Sequence, residues 1–252
     1  MLFRIFFIFT LTSVLYGCTS SKEEKLTIAT AANMKFAMED LVAEFSNETG
    51  INCVIITGSS GKLTAQIMGG APFDVFVSAD LKYPEELFQG GFATQEPKVY
   101  AYGKLILLSM HDSIHPTLEL LKEDQIIHIG VANPKTAPYG IATLEVLQKY
   151  KLEDVLKEKF VFGESVAQTS QFIISKVVEV GFTAKSVVMA ENMRGKGNWQ
   201  ELDENSYSPI AQGIVVINNR KLKRKDAQQF YDFLFTPKGK EILNKFGYSV
   251  PN

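Results

Sequence analysis

The sequence predicts an α/β protein of two lobes with a ligand-binding cleft between them, and three observations support this fold class. Short apolar strands alternate with helical patterns from residue 26 to about residue 90, which is typical of a parallel sheet covered by helices. A longer apolar run at 99–110 interrupts the alternation and indicates that the chain crosses into a second lobe. Two amphipathic helical patterns separated by Pro237 end the sequence, and we expect them to return to the first lobe.

The first strand and helix form the unit around which the prediction is built. Residues 26–29 suit a buried strand, and apolar residues recur with helical spacing from Met34 to Phe45. Asn33 lies between them and is the predicted N-cap of the helix. Because the start of a helix carries unpaired N–H groups and the positive end of the helix dipole, this junction can bind an anion.

The remaining elements follow in chain order and define the lobes. Further strands are predicted at 51–57, 74–79, 99–110, 126–133, 180–184 and 211–218. Further helices are predicted at 62–68, from about 84, at 139–150, at 166–180, and on either side of Pro237. The predicted first lobe comprises residues 26–103 and 219–252, and the predicted second lobe comprises residues 104–218.

Four strand-to-helix junctions share the same chemistry, two in each predicted lobe. They read TAAN at 30–33, GSSG at 58–61, APYG at 137–140 and GESV at 163–166. Each combines small or capping residues with the first turn of a helix, so each can aim backbone N–H groups at a common point. Taken singly, Asn33 and Ser60 are better explained as helix caps. The recurrence of such junctions in both predicted lobes is what predicts an anion site.

Composition limits the class of protein. A chain of 252 residues with 46% hydrophobic content can bury a substantial core, in one large domain or two of ordinary size. The formal net charge of −2 leaves no global basic field, which argues against non-specific nucleic-acid binding as the main function. Any anion site must therefore be local.

The N-terminus predicts export and a lipid anchor. Arg4 is followed by an apolar run at 5–14, which is shorter than the roughly 20 residues of a membrane span and indicates a signal peptide at 1–17. The segment LYGC at 15–18 resembles the lipobox of bacterial lipoproteins, in which the cysteine is lipidated. Cys18 is then the anchor and residues 18–25 form a polar tether. An ordinary cleaved signal with a free Cys18 is the alternative.

Several longer motifs carry a family resemblance over the chain from Lys25 to the end. They are LTIATAANMKFAMEDL, TGSSGKLTAQI, GAPFDVFVSAD, VANPKTAPYGIATLEVL, VAQT and FYDFLFTPKGKEILNKFGY. Together they resemble the molybdate-binding proteins of bacterial ABC transporters. The resemblance implies a two-lobed periplasmic-binding-protein (type II) fold that closes on a tetrahedral dianion in the cleft between the lobes. It also implies a monomer without cofactor on the outer side of the membrane, which delivers molybdate or tungstate to a membrane permease.

The resemblance also assigns the site residues. Asn33 would donate through its side chain and backbone, and Ser60 through its hydroxyl and backbone. Tyr139 and Val166 would donate backbone N–H groups from the second lobe. Some family members place a tyrosine hydroxyl on the anion where this chain has Ala184, and the backbone of Ala32 is a candidate replacement for that donor.

The chemistry of the loops agrees with this assignment. Molybdate carries no proton at neutral pH, so its site should offer donors only, whereas a site for protonated phosphate benefits from a carboxylate acceptor. Three of the four loops contain no acid, and we expect the exception, Glu164, to point outward with Lys62 and Lys135 exposed nearby. Size must then separate molybdate from the smaller sulfate, because a poorly fitting anion leaves donors unpaired.

Other functions stay open at this point. The same cleft could bind another tetrahedral oxyanion such as sulfate or phosphate, or belong to a lipoprotein without a transport role. An enzyme on this fold is a further alternative, since Asp80, Glu164 and three histidines supply catalytic residue types. However, no nucleophile-elbow, P-loop or zinc motif is present, and the spacing of His111 and His115 falls in a predicted turn. We therefore predict neither an enzyme nor a metal-cation site.

Overall fold

The computed structural model describes residues 25–218 and 224–251, so the predicted signal peptide, Cys18 and most of the tether lie outside the described residues. The strands are β1 Leu26–Ala31, β2 Cys53–Gly58, β3 Val75–Val77, β4 Lys98–Gly103, β5 Leu105–Ser109, β6 Ile129–Ala132, β7 Phe160–Gly163, β8 Val180–Ala184, β9 Asn198–Glu201 and β10 Ile210–Val216. The helices are α1 Lys35–Thr49, α2 Ser60–Met68, α3 Lys82–Gln89, α4 Pro138–Lys149, α5 Glu153–Leu156, α6 Val166–Ile174, α7 Lys185–Met189, α8 Arg224–Phe233 and α9 Pro237–Lys245.

The strands form two five-stranded mixed sheets, and the predicted α/β class is confirmed. The order in the first sheet is β2-β1-β3-β10-β4 and in the second β7-β6-β8-β5-β9. In each sheet the strands that lead into the four predicted strand-to-helix junctions are parallel, β1 with β2 and β6 with β7. Parallel pairing brings the carboxyl ends of neighbouring strands to the same edge, so the junctions of each sheet lie side by side.

The chain passes between the two sheets twice. The run at 99–110, predicted as one long strand, forms β4 in the first sheet and β5 in the second, and the chain passes between the sheets at Lys104. The strand β10 was placed in the second lobe by the predicted boundary at residue 218. Instead it pairs antiparallel with β3 and β4 in the first sheet, because the chain has already returned by Ile210. We call these two crossings the hinge.

The C-terminal helices return to the first sheet. Phe45 of α1 packs against Phe230 and Phe233 of α8 at ring-centroid distances of 5.2 and 5.6 Å. Helix α9 starts at Pro237 with Thr236 as its N-cap. Helix α6 is shorter than predicted, since it ends at Ile174 and Lys176 adopts a left-handed φ of 57° before β8. Within the described ranges, no helix has the length and apolar character needed to span a bilayer.

Candidate functional site

A small cavity lies between the two sheets, at the ends of the strands that precede α1, α2, α4 and α6. Its lining includes all five residues predicted for the anion site: Ala32, Asn33, Ser60, Tyr139 and Val166. The rest of the lining consists of Ala31, Ser59, Ala79, Ala137 and Pro138, so no lining side chain is acidic or basic. The cavity volume is about 10 Å³, which is far below the roughly 300–1,000 Å³ of pockets for drug-sized ligands. The cavity suits a small ion.

Asn33 is not the N-cap of α1, contrary to the prediction. It lies inside a 3₁₀ turn, Ala32–Met34, that precedes the helix. Its side-chain Nδ2 donates to Oε1 of Gln212 at 3.0 Å and to the hydroxyl of Tyr248 at 3.1 Å. Its backbone oxygen accepts from the hydroxyl of Ser186 at 2.7 Å. Asn33 is therefore held by both lobes instead of capping its own helix.

Ser60 is the first residue of α2, and Ser59 occupies the N-cap position without making a side-chain cap. The hydroxyl oxygen of Ser60 accepts a hydrogen bond from the backbone N–H of Ala79 at 3.0 Å. A serine hydroxyl has one proton to donate as well as lone pairs that accept. The contact with Ala79 therefore orients the hydroxyl of Ser60 and leaves its proton for a ligand.

Tyr139 is the second residue of α4, and the sequence around it makes its N–H group available. Pro138 has no N–H group, and the N–H of Gly140 donates to the oxygen of Ala137 at 2.9 Å. The amide of Tyr139 is thus the donor of the first helical turn that remains for a ligand. Its ring is buried, and burial raises the pKa of its hydroxyl well above the usual range.

Val166 begins α6 beside a capped position. Ser165 accepts from the N–H of Gln168 at 3.3 Å, and the side chain of Gln168 accepts from the N–H of Glu164 at 2.6 Å. These two bonds occupy the N–H groups of Glu164 and Gln168, and Val166 between them lines the cavity. Ala184 is fully buried at the end of β8 and does not line the cavity.

The nearest charged side chains are turned away from the cavity. Glu164 forms an ion pair with Lys62 at 2.6 Å, and their side chains are 60% and 50% exposed. The expected outward orientation of Glu164 is confirmed, and Lys135 is exposed as expected. The carboxylate of Asp80 accepts from the hydroxyl of Ser78 at 3.0 Å, and burial raises its pKa. The cavity therefore offers donors without a facing carboxylate.

Direct contacts between the lobes close the cavity on the side of α2. The N–H of Gly61 donates to the oxygen of Thr136 at 3.0 Å, and the hydroxyl of Tyr83 donates to the oxygen of Lys135 at 3.3 Å. The ion pair of Lys62 with Glu164 lies on the same side. Within the described part of the chain, no group of three or more metal-ligating side chains comes together. The arrangement can enclose an anion by uncharged hydrogen-bond donors.

Sequence reasoning missed the residues that hold Asn33. Gln212, Tyr248 and Ser186 are 179, 215 and 153 positions away from it in the chain. The sequence did contain one signal of this arrangement, since Gln212 is a polar residue within an otherwise apolar strand. In the structure Gln212 is fully buried. A buried glutamine in a strand needs partners for both ends of its amide.

Comparisons with known proteins extend over both lobes. The family model of bacterial extracellular solute-binding proteins matches residues 26–249. The chain is 35% identical over 238 residues to the molybdate-binding protein ModA of Azotobacter vinelandii, which covers 94% of both sequences. It is 36% identical over 224 residues to the molybdate-binding protein ModA of Rhodobacter capsulatus, covering 87% of this chain and 86% of the other. The solved structure of the periplasmic molybdate-binding protein of Azotobacter vinelandii superposes with a TM-score of 0.85 at 35% identity, over 90% of this chain and 100% of that one.

Proposed function

Because the chain belongs to the family of bacterial extracellular solute-binding proteins, we propose that it captures molybdate outside the cytoplasm and delivers it to the permease of an ABC transporter. The nearly isosteric tungstate would bind in the same way. The protein is a binding protein and not an enzyme, and it binds its ligand without a cofactor. The observation that carries the proposal is the uncharged cavity, which is lined by residues of the four strand-to-helix junctions of both lobes.

The proposed ligands come from each strand-to-helix junction. The amide and side chain of Asn33 and the hydroxyl of Ser60 would donate from the first lobe, together with the backbone of Ala32. The amides of Tyr139 and Val166 would donate from the second lobe. Hydrogen bonds to a charged group are the stronger class, and the positive ends of α2, α4 and α6 add to them. Such a set can balance a dianion without a cationic side chain.

The absence of a facing carboxylate from the lining favours an unprotonated oxyanion over phosphate. Sulfate also lacks a proton, so it is separated from molybdate by its radius. A closed ring of donors that fits the larger anion leaves donors unpaired around the smaller one, and each unpaired buried donor costs about 1–3 kcal/mol.

The proposal includes the cellular location. Cys18 would carry the lipid that anchors the protein on the periplasmic or cell-surface side of the membrane, and residues 18–25 would tether the folded chain to it. The working unit would be a monomer, and nucleic acid is not among its partners.

Titration calorimetry with molybdate, tungstate, sulfate and phosphate in parallel tests the proposal. We expect molybdate and tungstate to bind most tightly and to raise the melting temperature, because the ligand binds only the folded, closed form. We also expect the radius of gyration in solution scattering to fall on binding, as the lobes close. Tighter binding of sulfate or phosphate than of molybdate would overturn the assignment.

Replacing Ser60 with Ala tests the site itself. Molybdate affinity should fall by about 1–3 kcal/mol, since one hydrogen bond to a charged group is lost. The N–H of Ala79 loses its acceptor in the free and bound forms alike, so this contact affects stability more than affinity. Ser175→Ala, at the exposed C-terminal end of α6, is the matched control and should bind like the original protein. An unchanged affinity in Ser60→Ala would remove Ser60 from the site.

A further inference from the structure

A cluster of uncharged polar side chains adjoins the cavity at the hinge. Nδ2 of Asn33 lies 3.0 Å from Oε1 of Gln212, and the hydroxyl of Tyr100 lies 2.7 Å from the same oxygen. The hydroxyl of Tyr139 lies beside the side-chain amides of Asn33 and Gln212. All four side chains are buried, so each donor and acceptor needs a partner inside the protein or on the ligand.

With the side-chain amides of Asn33 and Gln212 in this orientation, several polar groups of the cluster lack a suitable hydrogen-bond partner. Oδ1 of Asn33, Nε2 of Gln212 and the hydroxyl of Tyr139 are all without a hydrogen-bond partner. The hydroxyl of Tyr100 faces two acceptors, Oε1 of Gln212 at 2.7 Å and the oxygen of Ser78 at 3.1 Å. A phenol has one proton and cannot satisfy both. The unpaired end of the Asn33 amide is then a carbonyl oxygen, on a side chain that lines an anion site.

Turning both side-chain amides by 180° removes these conflicts together without displacing their neighbours, since nitrogen and oxygen exchange places. Nε2 of Gln212 then donates to Oδ1 of Asn33 and to the hydroxyl of Tyr100, whose proton goes to Ser78. Oε1 of Gln212 becomes the acceptor beside the hydroxyl of Tyr139. The atom of these amides left for the cavity is Nδ2 of Asn33, which is a donor.

The other contacts of Asn33 tolerate the turned orientation. The hydroxyl of Tyr248 lies 3.1 Å from the side-chain amide and 2.9 Å from the backbone oxygen of Asn33. It can donate to Oδ1, because Ser186 already donates to the backbone oxygen at 2.7 Å. The bond from Tyr248 to the backbone oxygen of Asn33 is given up in the exchange, but that oxygen keeps Ser186 as its donor.

We infer that Gln212 is a positioning residue that holds the side-chain NH₂ group of Asn33 toward the anion, an inference that rests on the proposed function. Without this constraint, the amide of Asn33 could present its carbonyl oxygen to a dianion, which would oppose binding. Tyr139 belongs to the second lobe and Gln212 to the strand β10 of the first sheet. Contact between them therefore sets the orientation of the donor in the closed form, when the anion is held.

Nuclear Overhauser effects in the molybdate-bound protein report the orientation directly. A Cβ added to Gly103 would collide with the outer end of Gln212, at the present position of Nε2, whereas the opposite end faces the hydroxyl of Tyr100. We expect the NH₂ protons of Gln212 to show stronger cross-peaks to the ring of Tyr100 than to the Hα protons of Gly103. The reverse pattern would overturn the inference. The NH₂ resonances of Asn33 should shift on addition of molybdate.

Two substitutions test the consequence for binding. In Gln212→Glu the introduced carboxylate only accepts, so it binds Nδ2 of Asn33 and turns Oδ1 toward the anion. We expect affinity for molybdate to fall about a hundredfold or more, with the NH₂ resonances of Asn33 unshifted even at saturating molybdate. Gln212→Met imposes no orientation and should lose less than about tenfold, while Gln171→Met, an exposed position on α6, is the control.

The outcomes separate the inference from the proposed function. If the unmodified protein binds none of the oxyanions, the proposed function fails, and the cross-peaks of Gln212 still report the amide orientation. If it binds molybdate and Gln212→Glu binds equally well, the function stands and the inference fails. A shift of the Asn33 resonances in Gln212→Glu at saturation would show charge repulsion instead of reorientation, and would also overturn the inference.

Discussion

Adding one methyl group at Gly61 should oppose closure of the lobes without touching any proposed ligand atom. Gly61 is the second residue of α2, and its N–H donates across the cleft to the oxygen of Thr136 at 3.0 Å. A Cβ at this position would lie 2.6 Å from the hydroxyl oxygen of Tyr83 and 3.2 Å from the Cα of Thr136. The first contact is shorter than van der Waals distance, and the second is with backbone of the opposite lobe.

The overlap with Thr136 exists only in the closed form, whereas Tyr83 lies in the same lobe as Gly61 and can move aside once opening releases its hydroxyl from Lys135. Tyr83 is 7% exposed and its hydroxyl bonds the oxygen of Lys135, so it cannot retreat freely. Overpacking of this kind costs about 1–3 kcal/mol. In the open form α2 is separated from Thr136 and the strain is relieved. Since the ligand is held by the closed form, Gly61→Ala should weaken molybdate binding by about 5- to 150-fold.

Calorimetry, thermal unfolding and solution scattering together check this prediction. The melting temperature of the ligand-free protein should change little, while the affinity for molybdate and the compaction on binding both decrease. Gly69→Ala, at the other end of α2 with an ordinary φ of −77°, is the matched control and should retain full affinity. Wild-type affinity and full compaction in Gly61→Ala would refute the assignment of this contact to closure.

Two further predictions concern the rim and the anchor. Lys62→Gln breaks an ion pair whose side chains are 50% and 60% exposed, so affinity for molybdate should fall by at most about fivefold and the effect should vanish at high salt. A tenfold loss that persists in high salt, measured by calorimetry, would instead place Lys62 on the anion. Cys18→Ala should release the protein from the membrane fraction of expressing cells, because the proposed lipid has no attachment point. Retention of this variant in the membrane fraction would contradict anchoring through Cys18.

Local sequence patterns were sufficient for the strand-to-helix junctions. The small residues of TAAN, GSSG and APYG, and the serine of GESV, determine where a strand ends and a helix begins. Parallel pairing of the preceding strands then brings two junctions to each sheet edge. For this reason the four junctions could be predicted from local patterns, while the family resemblance assigned Ala32, Asn33, Ser60, Tyr139 and Val166 within them; the structure gathers these residues around one cavity. Their binding of the anion remains a proposal.

Features that depend on distant pairing could not be derived in this way. The strand β10 has the same apolar pattern as strands of either sheet, and only its pairing with β3 and β4 assigns it to the first. Asn33 reads as a helix cap in the sequence, since local hydrogen bonds are the default for such a residue. Partners 153 to 215 positions away take its side chain and backbone oxygen instead.

The sequence by itself therefore determined the chemistry of the cleft: uncharged donors at helix starts, with Glu164 as the one acid in the four loops. Short-range rules fix these features, because strand ends, helix starts and small residues act over a few positions. The tertiary structure decided which distant residues these groups contact, with Gln212 against Asn33 and Gly61 against Thr136. Those contacts exist only after two lobes far apart in the chain have been brought together.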